Sequence, residues 1–473
     1  MVRLPMVQGW CSQPVETPNL RNRRVVLVGL DWTRDKDPRI PLGQASLAAS
    51  LRVASAEVTS RCYAINDGAL DIDAVVTEVL AEASRGQGWA DVGIGVYVWN
   101  DREVHALCRG LRRRGFAGRI ILGGPQITYH EAGVDRRYPE ADALVRGAGE
   151  AAIVAIVGAD RPRSIPGVVW RGEEDRCEQA SADLERLPSP YLTGILDPAD
   201  HRRFARWETK RGCRFRCSFC QHRDPGATPT VRAFASERVR REVAVFAAAG
   251  VEEIAVLDPV FNDPDHPYLE VLDALIAAGF RGRLSLQCRF ESVTAAFLDR
   301  AAQLDAHLEF GIQSIHVGEW RAIHRGNKMP LVEAAIVQLH ARGIAFEVTL
   351  IYGLPEQTLG SFRATVQWCL DRRVPVIKAF PLMLLRGTEL ERDRDRWHLV
   401  ESDDAIPMVI ASDSFTPDEQ GQMQAIAEGL IATEGQHPGK VDELVGPVPF
   451  PLYRGRWTPL ASGKAGDVCD ARP

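Results

Sequence analysis

The run RRVVLVGL at 23–30 is apolar at almost every position, as expected of a strand buried on both faces of a parallel sheet. Apolar residues then recur at helical spacing over 43–54. DVGIGVYV (91–98) and GRIILGG (118–124) read as two more strands, with a helix near 101–114 between them. This alternation predicts one open α/β domain over 24–175, behind an irregular extension at 1–23. The stretch ADLERLPSPYLTGILDP (182–198), broken by Pro188 and Pro190, predicts a linker within 176–205. A second alternation starts near 206. Its strands are expected at 206–212, 252–258, 283–289, 307–314, 346–353 and 376–382, separated by amphipathic helices at 234–249, 266–279, 293–303, 329–342 and 358–372. Six strands with five intervening helices predict a partial parallel barrel over 206–395, with its chemistry at the C-terminal strand ends. Residues 396–473 offer one helix, at 416–434 and opened by TPDE, and a tail, ASGKAGDVCDARP, with the composition of a disordered end.

Composition mostly adds exclusions. Of 473 residues, 45% are hydrophobic and 25% charged, the balance of an ordinary globular chain. The formal net charge of −6 and the lack of a long basic run argue against a nucleic-acid surface. No run of about 18 apolar residues occurs, so no membrane span is expected. The start, MVRLPMVQGWCSQPVE, lacks the apolar core of a secretory signal. Ten cysteines lie at 11, 62, 108, 177, 213, 217, 220, 288, 369 and 469, and seven of them stand singly, as reduced thiols of a cytoplasmic protein do.

The other three crowd into RGCRFRCSFCQHRD (211–224) as Cys213, Cys217 and Cys220. Structural zinc wants a fourth closely grouped Cys or His, and His222, two residues after Cys220, is badly spaced for that task. Three unrelated structural cysteines would not gather so tightly. A four-iron cubane held by three thiolates, with one iron left open to another ligand, accounts for both the grouping and the missing donor. The segment also follows the first predicted barrel strand, where such a fold places its chemistry.

CRFRCSFC matches the CxxxCxΦC signature of radical S-adenosylmethionine (SAM) enzymes, with Phe219 at the aromatic position, and residues 200–395 resemble that family. The resemblance implies a [4Fe-4S] cluster on Cys213, Cys217 and Cys220 whose open iron chelates S-adenosyl-L-methionine. It also implies reductive cleavage of the sulfonium to methionine and a deoxyadenosyl radical, with Phe219 against the adenine. VLDPVFNDP (256–264) stands where the family often has a Gly-Gly-Glu stretch. That stretch, which touches the methionine amino group in the family, is absent; Asp258, the SAM-binding candidate here, and Asn262 are polar groups at a suitable strand end that a turn would use equally well. FGIQS (310–314) resembles the fourth-strand segment of the coproporphyrinogen-oxidase-like branch. That likeness implies Gln313 on the ribose and Arg325 on the methionine carboxylate, a bidentate task suited to a guanidinium. Gln287 takes the third-strand position that carries Glu in that branch, which makes it a further candidate for SAM contact. IYGLP (351–355) resembles the fifth-strand turn beside adenine, where Gly353 either admits the ligand or simply makes the turn.

RIPLGQASLAASLR (39–52), GVYVWN (95–100), ILGGPQITY (121–129) and ALVRGAGE (143–150), in that order, resemble the cobalamin-binding domain that precedes many barrels of this family. Gly123 and Gly124 match its close-approach glycines, as they would also match a tight strand-end turn. Tyr97 and Trp99 are candidates for the corrin face or for core packing. The loop DWTRDKDPR (31–39) lacks the Asp-x-His-x-x-Gly motif, so it offers a bound cobalamin no axial His.

Taken together, the resemblance implies an α/β chain with a Rossmann-like, cobalamin-binding-type domain, a partial (β/α)6 TIM-like barrel and a small C-terminal region. The function it implies is a cobalamin-dependent methyltransferase acting on an unactivated carbon of a small molecule or peptide in a biosynthetic pathway. It would work in the cytoplasm with an electron donor such as flavodoxin or ferredoxin, and with no nucleic-acid or membrane partner. Radical rearrangement, cyclisation or oxidation without methyl transfer is the alternative. A non-catalytic metal-binding protein is least favoured, because a structural site would close its coordination.

Overall fold

The computed structural model of the chain describes residues 19–33, 41–66, 68–160, 162–200, 203–222, 230–404 and 406–444. Cys11, Cys469, the tail ASGKAGDVCDARP and most of the 31–39 loop lie outside that set. The first sheet contains β1 (Arg24–Asp31), β2 (Glu57–Ala64), β3 (Asp91–Gly95), β4 (Ile120–Gly123), β5 (Ala143–Val145) and β6 (Val168–Trp170), in the spatial order β2-β1-β3-β4-β5-β6. Neighbours pair in parallel except β5 with β6. Val26, Val28, Ile94 and Leu122 pack on one face with Val76 and Leu107, from the helices Ile72–Ala83 and Asp101–Arg113. Val25, Leu27, Ile121 and Val145 pack on the other with Leu51 and Ile153, from the helices Leu42–Val53 and Gly149–Val157. Burial on both faces explains why β1 is apolar throughout. The edge strand β2, EVTSRCYA, is only half-buried and carries no such pattern, so the hydrophobic signal missed it.

This strand order leaves a switch point between β1 and β3, and ligands of doubly wound sheets bind beyond the carboxyl ends of the strands there. The buried Asn100 ties the two strand ends together. Its Nδ2 donates to Leu30 O (2.9 Å) and Gly95 O (3.1 Å), and its Oδ1 accepts from Tyr97 N (2.8 Å).

The second sheet begins with β7 (Phe204–Trp207). A short antiparallel pair follows, β8 (Lys210–Arg211) with β9 (Arg232–Ala233), so the first barrel strand expected over 206–212 ends early at Trp207. Then come β10 (Glu253–Val256), β11 (Arg283–Cys288), β12 (Asp305–Gln313), β13 (Ala345–Tyr352) and β14 (Val376–Pro381). The order β14-β13-β12-β11-β10-β7 is parallel throughout and does not close, which makes a partial barrel. Leu286, Leu308, Phe310 and Val348 point outward and share a core with Leu272, Phe297, Leu339 and Phe362 of the surrounding helices. The alternate residues face the concave side, in registers that align Gln287 with Glu309 and Glu347, and Gly311 with Thr349 and Lys378.

The C-terminal region adds β15 (Val400–Glu401), β16 (Val409–Ala411) and the helix Pro417–Ala432, started by a capping box between Thr416 and Glu419. Met423, Ile426 and Leu430 of this helix join the barrel core. His437 Nε2 accepts from Ile377 N (3.1 Å) on the edge strand β14, meeting a donor that an edge otherwise leaves to water. Among the described residues no helix is long and apolar enough to cross a membrane.

Candidate functional site

The loop after β8 holds the three grouped cysteines at the carboxyl end of the barrel, and its neighbours pin it. Arg214 pairs with Asp263 (3.0 Å) and Asp265 (2.6 Å) beyond β10. Ser218 N donates to Ile323 O (3.0 Å), and Ser218 O accepts from Leu390 N (2.9 Å) beyond β14. Cys213, Cys217 and Cys220 lie near enough for their charges to act on one another. Burial pushes the Cys213 thiol up, and pushes Cys220 up to about 11. Such thiols ionise when a cation replaces the proton. Among the described residues no three His, Cys, Asp or Glu side chains gather tightly enough for a single metal ion. A cubane spreads its three protein ligands over three irons, so its thiols need not meet at one point. The His222 backbone N–H donates to Cys220 Sγ (3.5 Å).

Two guanidiniums face this loop. Arg325 donates Nη1 to Cys217 Sγ (3.6 Å) and Nη2 to Gly311 O, and its Nε is buried with no partner among the described residues. Arg289, just beyond β11, lies over the Phe215 ring (4.4 Å) and donates Nε to Glu291 (3.1 Å) and Nη2 to Gly326 O (3.1 Å). Its Nη1 is also buried without a partner among the described residues. Burial and the Arg325 charge hold Arg289 below the ordinary guanidinium value. A buried unmet donor costs about 1–3 kcal/mol, so two of them beside the thiols point to an anionic occupant. A cluster with thiolate ligands and the carboxylate of SAM both have that character.

Gln313 joins the same group. It is buried at φ +65°, where the β12–β13 register shifts, and its Nε2 would lie 2.5 Å from a Cβ on Gly311. Positive φ costs a non-glycine residue roughly 1–3 kcal/mol, and such strain concentrates at functional sites. Sequence reasoning missed Arg289. The available signal was a cation at a predicted strand end, in LQCRF, two residues after Gln287.

Several expected residues take other positions. Phe219 is partly buried and packs on the barrel core. Asp258 does not face an open site: it is fully buried and accepts from Thr209 N (2.8 Å), Lys210 N (3.2 Å) and the Thr209 hydroxyl. Asn262 likewise clamps the backbone of Arg289, donating to its O and accepting from its N, both at 2.9 Å. The loop in place of Gly-Gly-Glu is therefore a frame for the cysteine loop. Gly353, at φ +85°, makes a turn whose open side is filled: a Cβ would meet Val409 O at 3.5 Å and Leu382 and Phe415 at 3.7 Å. Gly124, at φ +101°, approaches this chain's own backbone, since a Cβ would come within 2.7 Å of Val96 O. Gly123 has room, with nothing among the described residues nearer than Val145 at 3.7 Å. Tyr97 and Trp99 stack at 4.5 Å and 7° beside the β1–β3 switch point.

Below the cysteine loop the concave face is charged. Buried Glu347 pairs with His307 Nε2 (3.0 Å) and with the Lys378 ammonium. Burial pushes its carboxyl up, but His307 and Lys378 together hold it below the usual value. Burial and the Glu347 charge raise the neighbouring Glu309. Gln287 and Phe380, both exposed, share this concave face.

Comparison with known proteins agrees with this architecture. The Radical SAM superfamily profile matches residues 207–369. The cobalamin-dependent radical SAM methyltransferase TokK of Streptomyces tokunonensis is 31% identical over 372 residues, 72% of this chain and 52% of that protein. The 2-(S-pantetheinyl)-carbapenam-3-carboxylate methyltransferase of Streptantibioticus cattleyicolor is 31% identical over 296 residues, 58% of this chain and 43% of that protein. The chain thus spans about half the length of these relatives. In fold it is similar to the radical SAM methyltransferase TsrM of Kitasatospora setae, solved with cobalamin and a [4Fe-4S] cluster, at a TM-score of 0.63 and 19% identity over 85% of this chain and 81% of that one. With a Rossmann-like sheet ahead of a partial barrel that carries CRFRCSFC, the chain contains a radical SAM domain and is homologous to cobalamin-dependent radical SAM methyltransferases.

Proposed function

We propose that this protein is a cobalamin-dependent radical SAM methyltransferase that alkylates an unactivated carbon of a small molecule or peptide. The observation that carries the reading is the convergence of three neighbouring thiols with Arg325, Arg289 and Gln313, two of whose buried donors lack partners among the described residues. In this reading Cys213, Cys217 and Cys220 hold a [4Fe-4S] cluster. Arg325 and Arg289 meet the carboxylate of SAM, Gln313 meets its ribose, and Phe219 lies against its adenine. When bound, the cluster supplies a one-electron reductant for SAM and the corrinoid a carrier for the methyl group.

The N-terminal crevice beside Tyr97, Trp99 and Gly123 is the proposed corrinoid seat. The concave face with Gln287, Glu309, Lys378 and Phe380 is the proposed substrate cavity, where mixed charges and an exposed ring suit a polar molecule with an apolar part. A flavodoxin or ferredoxin would deliver the electron, in a cytoplasmic setting. The test is anaerobic reconstitution with corrinoid and methyl-labelled SAM against candidate substrates. The expected products are deoxyadenosine and a labelled methyl on carbon. Full-rate turnover by cobalamin-free protein would favour radical rearrangement or oxidation and end the methyltransferase reading.

A further inference from the structure

We propose that the Rossmann-like domain grips the three-cysteine segment at both ends, with Glu150 and Tyr129 as positioning residues; the proposal rests on the cluster assignment above. The two grips flank the cysteines closely. Arg211, two residues before Cys213, pairs with Glu150 (2.8 Å) as well as with Glu208 (3.0 Å). Gln221, directly after Cys220, accepts at its backbone O from the Tyr129 hydroxyl (2.5 Å). The Gln221 side chain then donates to Arg386 O (2.7 Å), and Gly387 presses on Tyr129 so closely that a Cβ would lie 2.6 Å from Tyr129 O. Three separate parts of the fold therefore meet at the end of the cysteine loop.

Neither gripping residue is loosely held. Glu150 opens the helix Gly149–Val157, where the helix dipole favours a carboxylate, and its side chain is 7% exposed. Tyr129 follows the four-residue helix Pro125–Thr128, whose turn is gathered by the buried Arg146. One Arg146 nitrogen donates to the carbonyls of Ile127 (3.1 Å), Thr128 (3.0 Å) and His130 (2.7 Å), and the other to Glu131 O (3.0 Å). Asp175 balances its charge at 2.6 Å. A fully buried ion pair adds little net stability but fixes geometry sharply, and here it fixes the turn that delivers the Tyr129 hydroxyl. The same turn begins at Gly124, beside the proposed corrinoid seat, so one short rigid piece links the two domains' working ends.

The test uses the full chain, reconstituted anaerobically, with Tyr129→Phe, Glu150→Gln and, as a control, Tyr138→Phe. Tyr138 makes a comparable buried bond, to Asp101 (2.6 Å), elsewhere in the same domain. Tyr129→Phe and Glu150→Gln should keep wild-type iron content yet change the EPR spectrum of the reduced cluster. They should also raise its midpoint potential, because a loosened loop admits water, which favours the more negative reduced form. A tenfold change in that equilibrium is about 59 mV for one electron. In metal-free protein, alkylation should speed up about fivefold at Cys220 in Tyr129→Phe and at Cys213 in Glu150→Gln, the size expected from one lost hydrogen bond. Buried Cys369 should keep its rate. Wild-type spectra, potentials and alkylation rates in both variants overturn the proposal, as does an equal change in Tyr138→Phe. If one variant fails to fold, the other carries the test alone. Wild-type protein that takes up no iron defeats the cluster assignment instead, and the alkylation rates still decide the grip.

Discussion

Arg325 shows how one side chain can serve two partners. The likeness to the coproporphyrinogen-oxidase-like branch implied a residue that touches SAM and leaves the metal alone. In the fold its guanidinium also donates to Cys217 Sγ, so under the proposed function ligand and cluster would share it. Arg325→Ala should weaken SAM binding roughly ten- to a hundred-fold, the loss of a charge-assisted contact of about 1.5–3 kcal/mol, and should also perturb the cluster EPR signal. Arg325→Lys should not restore either, because a single ammonium cannot span Gly311 O and Cys217 as the planar fork does. Unchanged SAM affinity in Arg325→Ala would return this residue to a purely structural role. Asp258 gives a pH prediction. Burial pushes its carboxyl up to about 6, from an ordinary 3.8, despite its bonds to Thr209 and the nearby Lys210. Between these values the unfolded chain releases the proton and the folded chain keeps it, so stability falls as pH rises through the window and levels off above it. Depressed groups such as Glu347 act in the opposite sense, which a difference measurement removes. Wild-type stability relative to Asp258→Asn should therefore drop by roughly 2 kcal/mol between pH 4 and 7, read from urea midpoints. A flat difference would sink the assignment.

At the scale of elements, the cysteine loop and the glycine turn behave differently. Cys213→Ala, Cys217→Ala or Cys220→Ala should each abolish iron uptake, since a cubane with three protein ligands has none to spare. Cys369→Ala, on the buried face of the helix Leu359–Asp371, should keep the iron and lose only packing. Full iron loading in Cys217→Ala would end the cluster reading. The glycine pair splits. Gly124→Ala should destabilise the chain by more than about 1 kcal/mol, because its backbone conformation disfavours a side chain and Val96 O occupies the space. Gly123→Ala should stay within about 0.5 kcal/mol, as its neighbours leave ordinary contact distance. Filling position 123 is therefore the cleaner probe of the corrinoid seat; filling position 124 would confuse a lost ligand with a damaged fold.

For the whole molecule, the proposed function requires both cofactors to serve one cavity, and the N-terminal domain meets the barrel at the cysteine loop. The 31–39 loop offers no His, so cobalt(II) EPR of the corrinoid-loaded protein should lack coupling to a histidine nitrogen. Clear imidazole coupling would mean that a His from another part of the chain lies beneath cobalt. Removing the corrinoid should stop methyl transfer while SAM cleavage continues, as judged by deoxyadenosine release. Loss of both together would mean that the corrinoid also supports the cluster.

Local pattern was enough to read the two alternations of strand and helix, the open barrel, and the three cysteines packed into one short segment. Those features repeat over distances of a few residues, and burial on both faces of a parallel sheet writes them plainly in the side chains. Only the tertiary structure decided which polar groups share a site. Arg289 and Arg325 lie 36 positions apart in the chain and meet because the ends of β11 and β12 adjoin. In the sequence Asp258 and Asn262 suit a ligand or a turn equally, and the backbones of Thr209, Lys210 and Arg289 claim them. Tyr129 reaches Gln221 across 92 residues, a contact no periodicity encodes. A side chain at a strand end can turn toward a cofactor or toward the next strand with the same local sequence, and the packing of its neighbours determines which.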